Sequence, residues 1–355
     1  MAMPDEEGQT VGVTADTEGR PPMPIFVGCG RSGTTLIRAM FDSHSKLAVS
    51  HHAQFIVAMG RRRESYEAQE GFRTDRFLTD LFASHRFPLL LLEEAVVRDE
   101  LREPPSSYPE AVRRVLALYA RQKGKSRYGD KTPGHVLRIA LLGDLFPEAR
   151  FVHIVRDGRN SWLGYRDRGF GPSTLPDAAF NWKRRVSRGR AAGLTLGAER
   201  YREVRYEDLV EHPAQTLAPL CRFLDLEFEE DMLRYYERAE SVLAGMGAAG
   251  RVAFEGVAQR PTAGLRDWRN TLSSEELALF DAIAGDLLVE LGYEPAGSAV
   301  SPSVKLEFGK AWLGWQRRRA GFQLKAAGRR LLKRSPGHAD ADWGHLQPKS
   351  LPVIE

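Results

Sequence analysis

A chain of 355 residues is long enough for one large α/β domain with appendages or for two small domains. Its 42% hydrophobic and 28% charged content is ordinary for a globular protein, and a net charge of +4 suits an anionic ligand as well as nucleic acid. With only Cys29 and Cys221 there is no disulfide framework, the acidic start lacks a signal-peptide pattern, and the apolar run 88–92 is far too short to cross a membrane, so a cytoplasmic location is expected.

Residues 1–22 are polar and acidic and read as a disordered leader. Ile25-Phe26-Val27 reads as a buried strand running into Gly28-Cys29-Gly30. Helical spacing follows over 35–41, then a second short strand over 47–49. The stretch 53–128 reads as mainly helical. The clearest strand is 151–155, β-branched and bounded by Arg150 and Arg156. A weaker strand covers 202–205. Helices are predicted over 213–224, with Pro213 at its start, and over 273–291, with Glu275 and Glu276 in the first turn and Gly292 just past the end. Strands alternating with helices imply an α/β fold with a largely parallel sheet covered on both faces. One domain over 23–297 and an extension over 298–355 are expected, joined by a linker over 297–303.

The segment Gly28-Cys29-Gly30-Arg31-Ser32-Gly33-Thr34-Thr35 lies between a strand and a helix. Glycines there let successive N–H groups face one point, and the helix adds unpaired N–H groups and the positive end of its dipole. Ser32, Thr34 and Thr35 add hydroxyls, and Arg31 adds a charged fork of donors. The loop is suited to an anion. It departs from a nucleotide-kinase P-loop at Thr34, where that pattern needs Lys. The strand at 151–155 also ends in Arg156, where such an enzyme often places a metal-holding Asp. Both departures argue against ATP with Mg²⁺.

These residues resemble the family of sulfotransferases that use 3′-phosphoadenosine 5′-phosphosulfate (PAPS). Four motifs appear in that family's order: Gly30-Arg31-Ser32-Gly33-Thr34-Thr35; Asp130-Lys131-Thr132-Pro133; Arg156-Asp157-Gly158-Arg159; and Arg205-Tyr206-Glu207-Asp208-Leu209, with Asp267-Trp268-Arg269-Asn270 later. The resemblance implies a P-loop-like three-layer fold with a central, largely parallel sheet. It also implies sulfuryl transfer from PAPS to a hydroxyl or amine, release of 3′-phosphoadenosine 5′-phosphate (PAP), and no metal. It places the 5′-phosphosulfate on the loop and the 3′-phosphate on Arg156, with Tyr206, Trp268 and Arg269 also at the nucleotide. The family usually has a serine eight residues after Arg156; this chain has Gly164, and Ser161, on nearly the same helix face, is the substitute.

The attacking hydroxyl needs a base. Where relatives of this branch often carry glutamate, the chain has Ser50-His51-His52-Ala53, so His52 is the expected base and His51 the next candidate. Lys131, with Arg31, is expected to stabilise charge on the leaving phosphate and sulfuryl oxygens. The acceptor, whether sugar, lipid, phenol or peptide, is not legible. A P-loop kinase and a non-catalytic nucleotide-binding protein are the alternatives.

Residues 305–334 carry ten Lys and Arg against Glu307 alone, with Phe308, Trp312, Trp315 and Phe322 near helical spacing. Either an amphipathic helix for an anionic membrane surface or an appended helix packing its aromatics on the body fits. Gly314, Gly321 and Gly328 oppose a continuous helix.

Overall fold

The computed structural model describes residues 19–166, 171–238, 258–260, 264 and 267–331. The expected leader up to residue 18 and the tail beyond 331 therefore lie outside the described residues. The chain runs β1 (Met23–Gly28), α1 (Thr34–Asp42), β2 (Leu47–His51), α2 (Phe55–Gly60), the short strands β3 (Glu67–Ala68) and β4 (Gly71–Phe72), α3 (Thr74–Phe82), α4 (Glu94–Glu100) and α5 (Tyr108–Gln122). It continues through β5 (Arg127–Lys131), α6 (Ile139–Leu145), β6 (Ala149–Val155), α7 (Gly158–Arg166), α8 (Leu175–Leu196), β7 (Tyr201–Arg205), α9 (Tyr206–Glu211), α10 (Pro213–Phe223), α11 (Ser274–Glu290) and α12 (Pro302–Leu331).

Five strands form one parallel sheet in the order β2-β5-β1-β6-β7. The apolar run of β1 is buried along its whole length, as befits a central strand covered on both faces. Its side chains alternate. Ile25 and Val27 enter a core built with α2, α3, α5 and α6, while Phe26 enters another with α1 and α10. A third cluster joins α7, α8, α11 and the start of α12. This is the expected three-layer α/β fold.

The sequence reading missed β5. Its residues, Arg-Tyr-Gly-Asp-Lys, show neither an apolar run nor a clean alternation, yet the strand lies between β2 and β1. Backbone pairing on both sides places it, and its polar side chains Asp130 and Lys131 are fully buried for a reason that belongs to the site. Helix α11 opens as its sequence predicts: Ser273 and Glu276 form a reciprocal capping box. Helix α12 is one continuous helix from 302 to 331, so its glycines lower its stability without breaking it.

Candidate active site

Parallel strands all end on one edge of the sheet, and the residues just past them meet there. Following the strand order, that edge carries His51 and His52 after β2, Lys131 closing β5, the glycine-rich loop after β1, Arg156 after β6 and Tyr206 after β7. With strands about 4.8 Å apart, the row spans roughly 19 Å, the scale of a nucleotide carrying two phosphate groups. The chain leaves β1 toward β2 on one side and leaves β6 toward β7 on the other. The crevice of this fold therefore opens between β1 and β6, where the loop and Arg156 stand.

The loop makes a tight turn. The Ser32 hydroxyl donates to the Cys29 carbonyl at 2.6 Å, and the Ser32 N–H donates to the same oxygen at 3.2 Å. Ser32 thus shapes the loop with the hydroxyl the sequence reading gave to the anion. Gly33 has φ 95°, and a Cβ there would lie 2.3 Å from the Tyr206 ring. Only glycine admits both the backbone turn and the tyrosine. Thr34 and Thr35 open α1, whose first turn has no side-chain cap, so its N–H groups face the crevice edge. Burial pushes the Cys29 thiol up to about 11, so it takes no part as a nucleophile.

Arg156 is held from three sides. Its guanidinium lies 4.1 Å from the Tyr206 ring centroid, one N–H donates to the Arg31 carbonyl at 3.4 Å, and its own carbonyl accepts from Trp182 Nε1 at 3.0 Å. Tyr206 therefore orients the arginine and backs the loop. Gly164 has a structural reason: its Cα lies against the Arg31 side chain, and a Cβ would come 3.0 Å from Arg31 Cβ and 3.2 Å from Nε. Ser161 is buried in α7, and its hydroxyl has no hydrogen-bond partner among the described residues. It is in place to serve an anion.

Trp268 and Arg269 are arranged differently from one another. Trp268 is buried; its Nε1 donates to Asp157 Oδ2 at 3.0 Å, and the Arg159 and Arg269 guanidiniums lie 3.8 and 4.6 Å from ring centroids. These contacts pin the 267–270 segment against the start of α7. Arg269 is more exposed, with Asp267 at 3.4 Å and Glu294 at 3.9 Å.

At the other end of the row, His51 and Lys131 are paired in register on β2 and β5, and the His52 N–H donates to the Lys131 carbonyl at 3.0 Å. His52 has φ 57°, an uncommon left-handed conformation for a non-glycine residue. The two imidazoles meet edge to face, 4.3 Å between centroids. Burial, and then the Lys131 ammonium, hold both imidazoles well below the usual value, which keeps them neutral. Lys131 is fully buried, and Nζ has no hydrogen-bond partner among the described residues. Burial, and then Arg38, push it well below the usual lysine value.

Asp130 explains how this end is held. Its Oδ1 accepts from Ser50 Oγ at 3.0 Å, the Ala53 N–H at 3.2 Å and Thr132 Oγ1 at 3.2 Å. It thereby fixes both ends of the turn bearing His51 and His52. Its Oδ2 lies 3.0 Å from His135 Nδ1, and His135 Nε2 is buried without a partner among the described residues. Sequence reasoning passed over Asp130 and His135 as site residues; the signal was their closeness to Lys131 along the chain. Arg38 and Arg86 were also missed, and both add positive potential at His51 and His52.

The Arg31 and Arg156 side chains, the Lys131 ammonium and Ser161 hydroxyl, both without a hydrogen-bond partner among the described residues, and an open helix N-terminus fit a ligand with two separated anionic groups. Among the described residues, no group of three or more His, Cys, Asp or Glu is placed to hold a metal ion.

A family model described as "Sulfotransferase family" matches residues 24–230. Protein-tyrosine sulfotransferase 2 of Gallus gallus is 26% identical over 289 residues, covering 77% of this chain and 70% of that protein. Protein-tyrosine sulfotransferase 1 of Homo sapiens is 26% identical over 291 residues, with the same coverage of 77% and 70%. The solved sulfotransferase domain of the Synechococcus PCC 7002 olefin synthase shares the fold, with TM-score 0.52 and 21% identity, covering 79% of this chain and 98% of that one.

Proposed function

Since the chain belongs to the sulfotransferase family, we propose that it moves a sulfuryl group from PAPS to a phenolic hydroxyl of tyrosine type, without a metal. The observation that carries the donor assignment is the row of Lys131, Arg31 and Arg156 along the strand ends, with Lys131 Nζ lacking a hydrogen-bond partner among the described residues. The donor, when bound, supplies the sulfuryl group and departs as PAP. The N–H groups of residues 33–35 and the Arg31 guanidinium hold the 5′-phosphosulfate. Arg156, steadied by Tyr206, and the Ser161 hydroxyl hold the 3′-phosphate. Lys131 neutralises charge on the leaving oxygen, where a pre-placed cation in a dry site acts most strongly. His52 accepts the proton of the acceptor hydroxyl, and Asp130 keeps the turn that carries it in place.

The acceptor proposal has chemical support besides the relatives' names. An imidazole held well below its usual value is a weak base. It matches an acidic hydroxyl, and a phenol with pKa near 10 is the most acidic hydroxyl among side chains. The two cysteines are buried free thiols, which suits a reducing compartment, and we place the enzyme in the cytoplasm. Among the described residues no helix is long and apolar enough to cross a membrane. The test is transfer of labelled sulfate from PAPS to tyrosyl peptides, seryl peptides and simple sugars. Label on tyrosyl peptides alone supports the proposal. Label on seryl peptides or sugars alone removes the acceptor assignment, and no turnover with any acceptor, while PAP binds, supports a non-catalytic binder.

A further inference from the structure

Helix α12 has two apolar faces, and only one packs on the body. Val304 and Trp315 are buried, and Trp315 stacks on Phe180 of α8 at 5.4 Å while Phe308 approaches the same ring at 6.4 Å. An ion pair from Arg318 to Asp177 fixes the same face. At about 100° per residue, Leu306, Leu313 and Leu324 fall within roughly 20° of one another, on the side opposite Val304 and Trp315. They are 61%, 45% and 73% exposed. Trp312, 46% exposed, lies about 100–120° around from this stripe, nearer Phe308 and Trp315. Arg317 and Lys310 fall about 20° and 40° from Leu306 on one side of the stripe, and Lys305 about 100° away on the other. Over 302–325 the only acidic residue is Glu307.

We propose that this outward face of α12 docks on an anionic lipid surface. The arrangement is that of an interfacial helix: a narrow leucine stripe enters the acyl boundary, and the long side chains of Arg317 and Lys310 beside it and of Lys305 farther round reach the headgroups. The stretch 302–325 is about 36 Å long, which fits a broad surface. Charge argues against a second copy of the helix as the occupant, because pairing two such faces sets cations against cations. Nucleic acid would use the cations and leave the leucines without a role. Docking would hold the catalytic body by α8, the helix whose Trp182 braces the Arg156 carbonyl.

The test is flotation of the full chain with phosphatidylcholine vesicles, with and without phosphatidylserine. Binding should require phosphatidylserine and fall at high salt. Leu313→Glu and the double change Lys310→Glu with Arg317→Glu should each weaken it roughly tenfold or more, with the melting temperature unchanged. No flotation with phosphatidylserine vesicles overturns the proposal, as does equal binding by either variant. A wild-type dimer that Leu313→Glu converts to a monomer, without vesicle binding, assigns the face to a second copy instead. Oligonucleotide binding that survives Leu313→Glu, again without vesicle binding, assigns it to nucleic acid.

Discussion

The Lys131→Met substitution keeps most of the side chain's volume and removes its charge. In the folded protein the ammonium is fully buried, and Nζ has no hydrogen-bond partner among the described residues. An unsatisfied buried polar group costs about 1–3 kcal/mol, and more when charged. Methionine relieves that penalty and fills the same space, so the free protein should become more stable by about 1–3 kcal/mol. At roughly 2–4 °C per kcal/mol for larger domains, Tm should rise by about 2–12 °C. The gain depends on pH. The folded value is depressed while the unfolded chain keeps the ordinary lysine value of 10.5. Below the folded value both states hold the proton and the folded state bears the full penalty; as pH rises through that value toward 10.5, the folded protein sheds the proton first and the penalty fades. The advantage of methionine should therefore be greatest on the acid side and shrink in alkaline buffer. Function should move the other way, with kcat falling roughly 10²–10³-fold, as when a pre-placed donor to a developing charge is removed. Differential scanning fluorimetry across pH, alongside turnover of labelled PAPS, reads both. A lower Tm together with normal turnover would refute the reasoning, because it would mean that Lys131 serves the fold and not the chemistry.

The remaining predictions concern the base, the loop and the metal. His52→Ala should lower kcat by roughly 10²–10⁴-fold with donor affinity nearly unchanged, and His51→Ala should do much less. The wild-type rate should fall on the acid side with a midpoint below 6.5, because burial and Lys131 hold the His52 imidazole down and a base must be unprotonated; a midpoint at or above 6.5 would remove His52 from that role. Gly33→Ala should weaken PAP binding roughly tenfold or more in calorimetry, since its Cβ would lie 2.3 Å from the Tyr206 ring that supports Arg156. EDTA should leave turnover unchanged, and activity restored only by Mg²⁺ would return the chain to kinase chemistry.

The strands that the sequence announced, β1, β2, β6 and more weakly β7, carry apolar or β-branched residues, and each leads to the site edge. Strand β5 was invisible because its side chains serve the site: Asp130 fixes the histidine turn and Lys131 faces the cation row, so no hydrophobic signal remained. The loop, Arg156 and the histidine pair were legible because each sits just past a strand at a known edge. The local hydrogen bonds were not: the Ser32 hydroxyl closes the loop on the Cys29 carbonyl. Trp268 meets Asp157 and Arg159, contacts between residues more than a hundred positions apart that local patterns do not encode. His135 was missed because its closeness to Asp130 arises from a 3-10 turn after β5 that the sequence does not announce. The glycines of α12 misled in the opposite direction, since packing of Phe308 and Trp315 against Phe180 outweighs their helix penalty.

The central claim is that the strand-end cations hold a nucleotide by two separate anionic groups, and calorimetry of PAP against AMP tests it most directly. One charge-assisted phosphate contact is worth about 1.5–3 kcal/mol, so the wild type should bind PAP roughly tenfold to a hundredfold more tightly than AMP. Arg156→Ala should bring the two affinities together by weakening PAP alone. Equal affinity for PAP and AMP in the wild type, or an Arg156→Ala variant that keeps the full difference, would contradict the account.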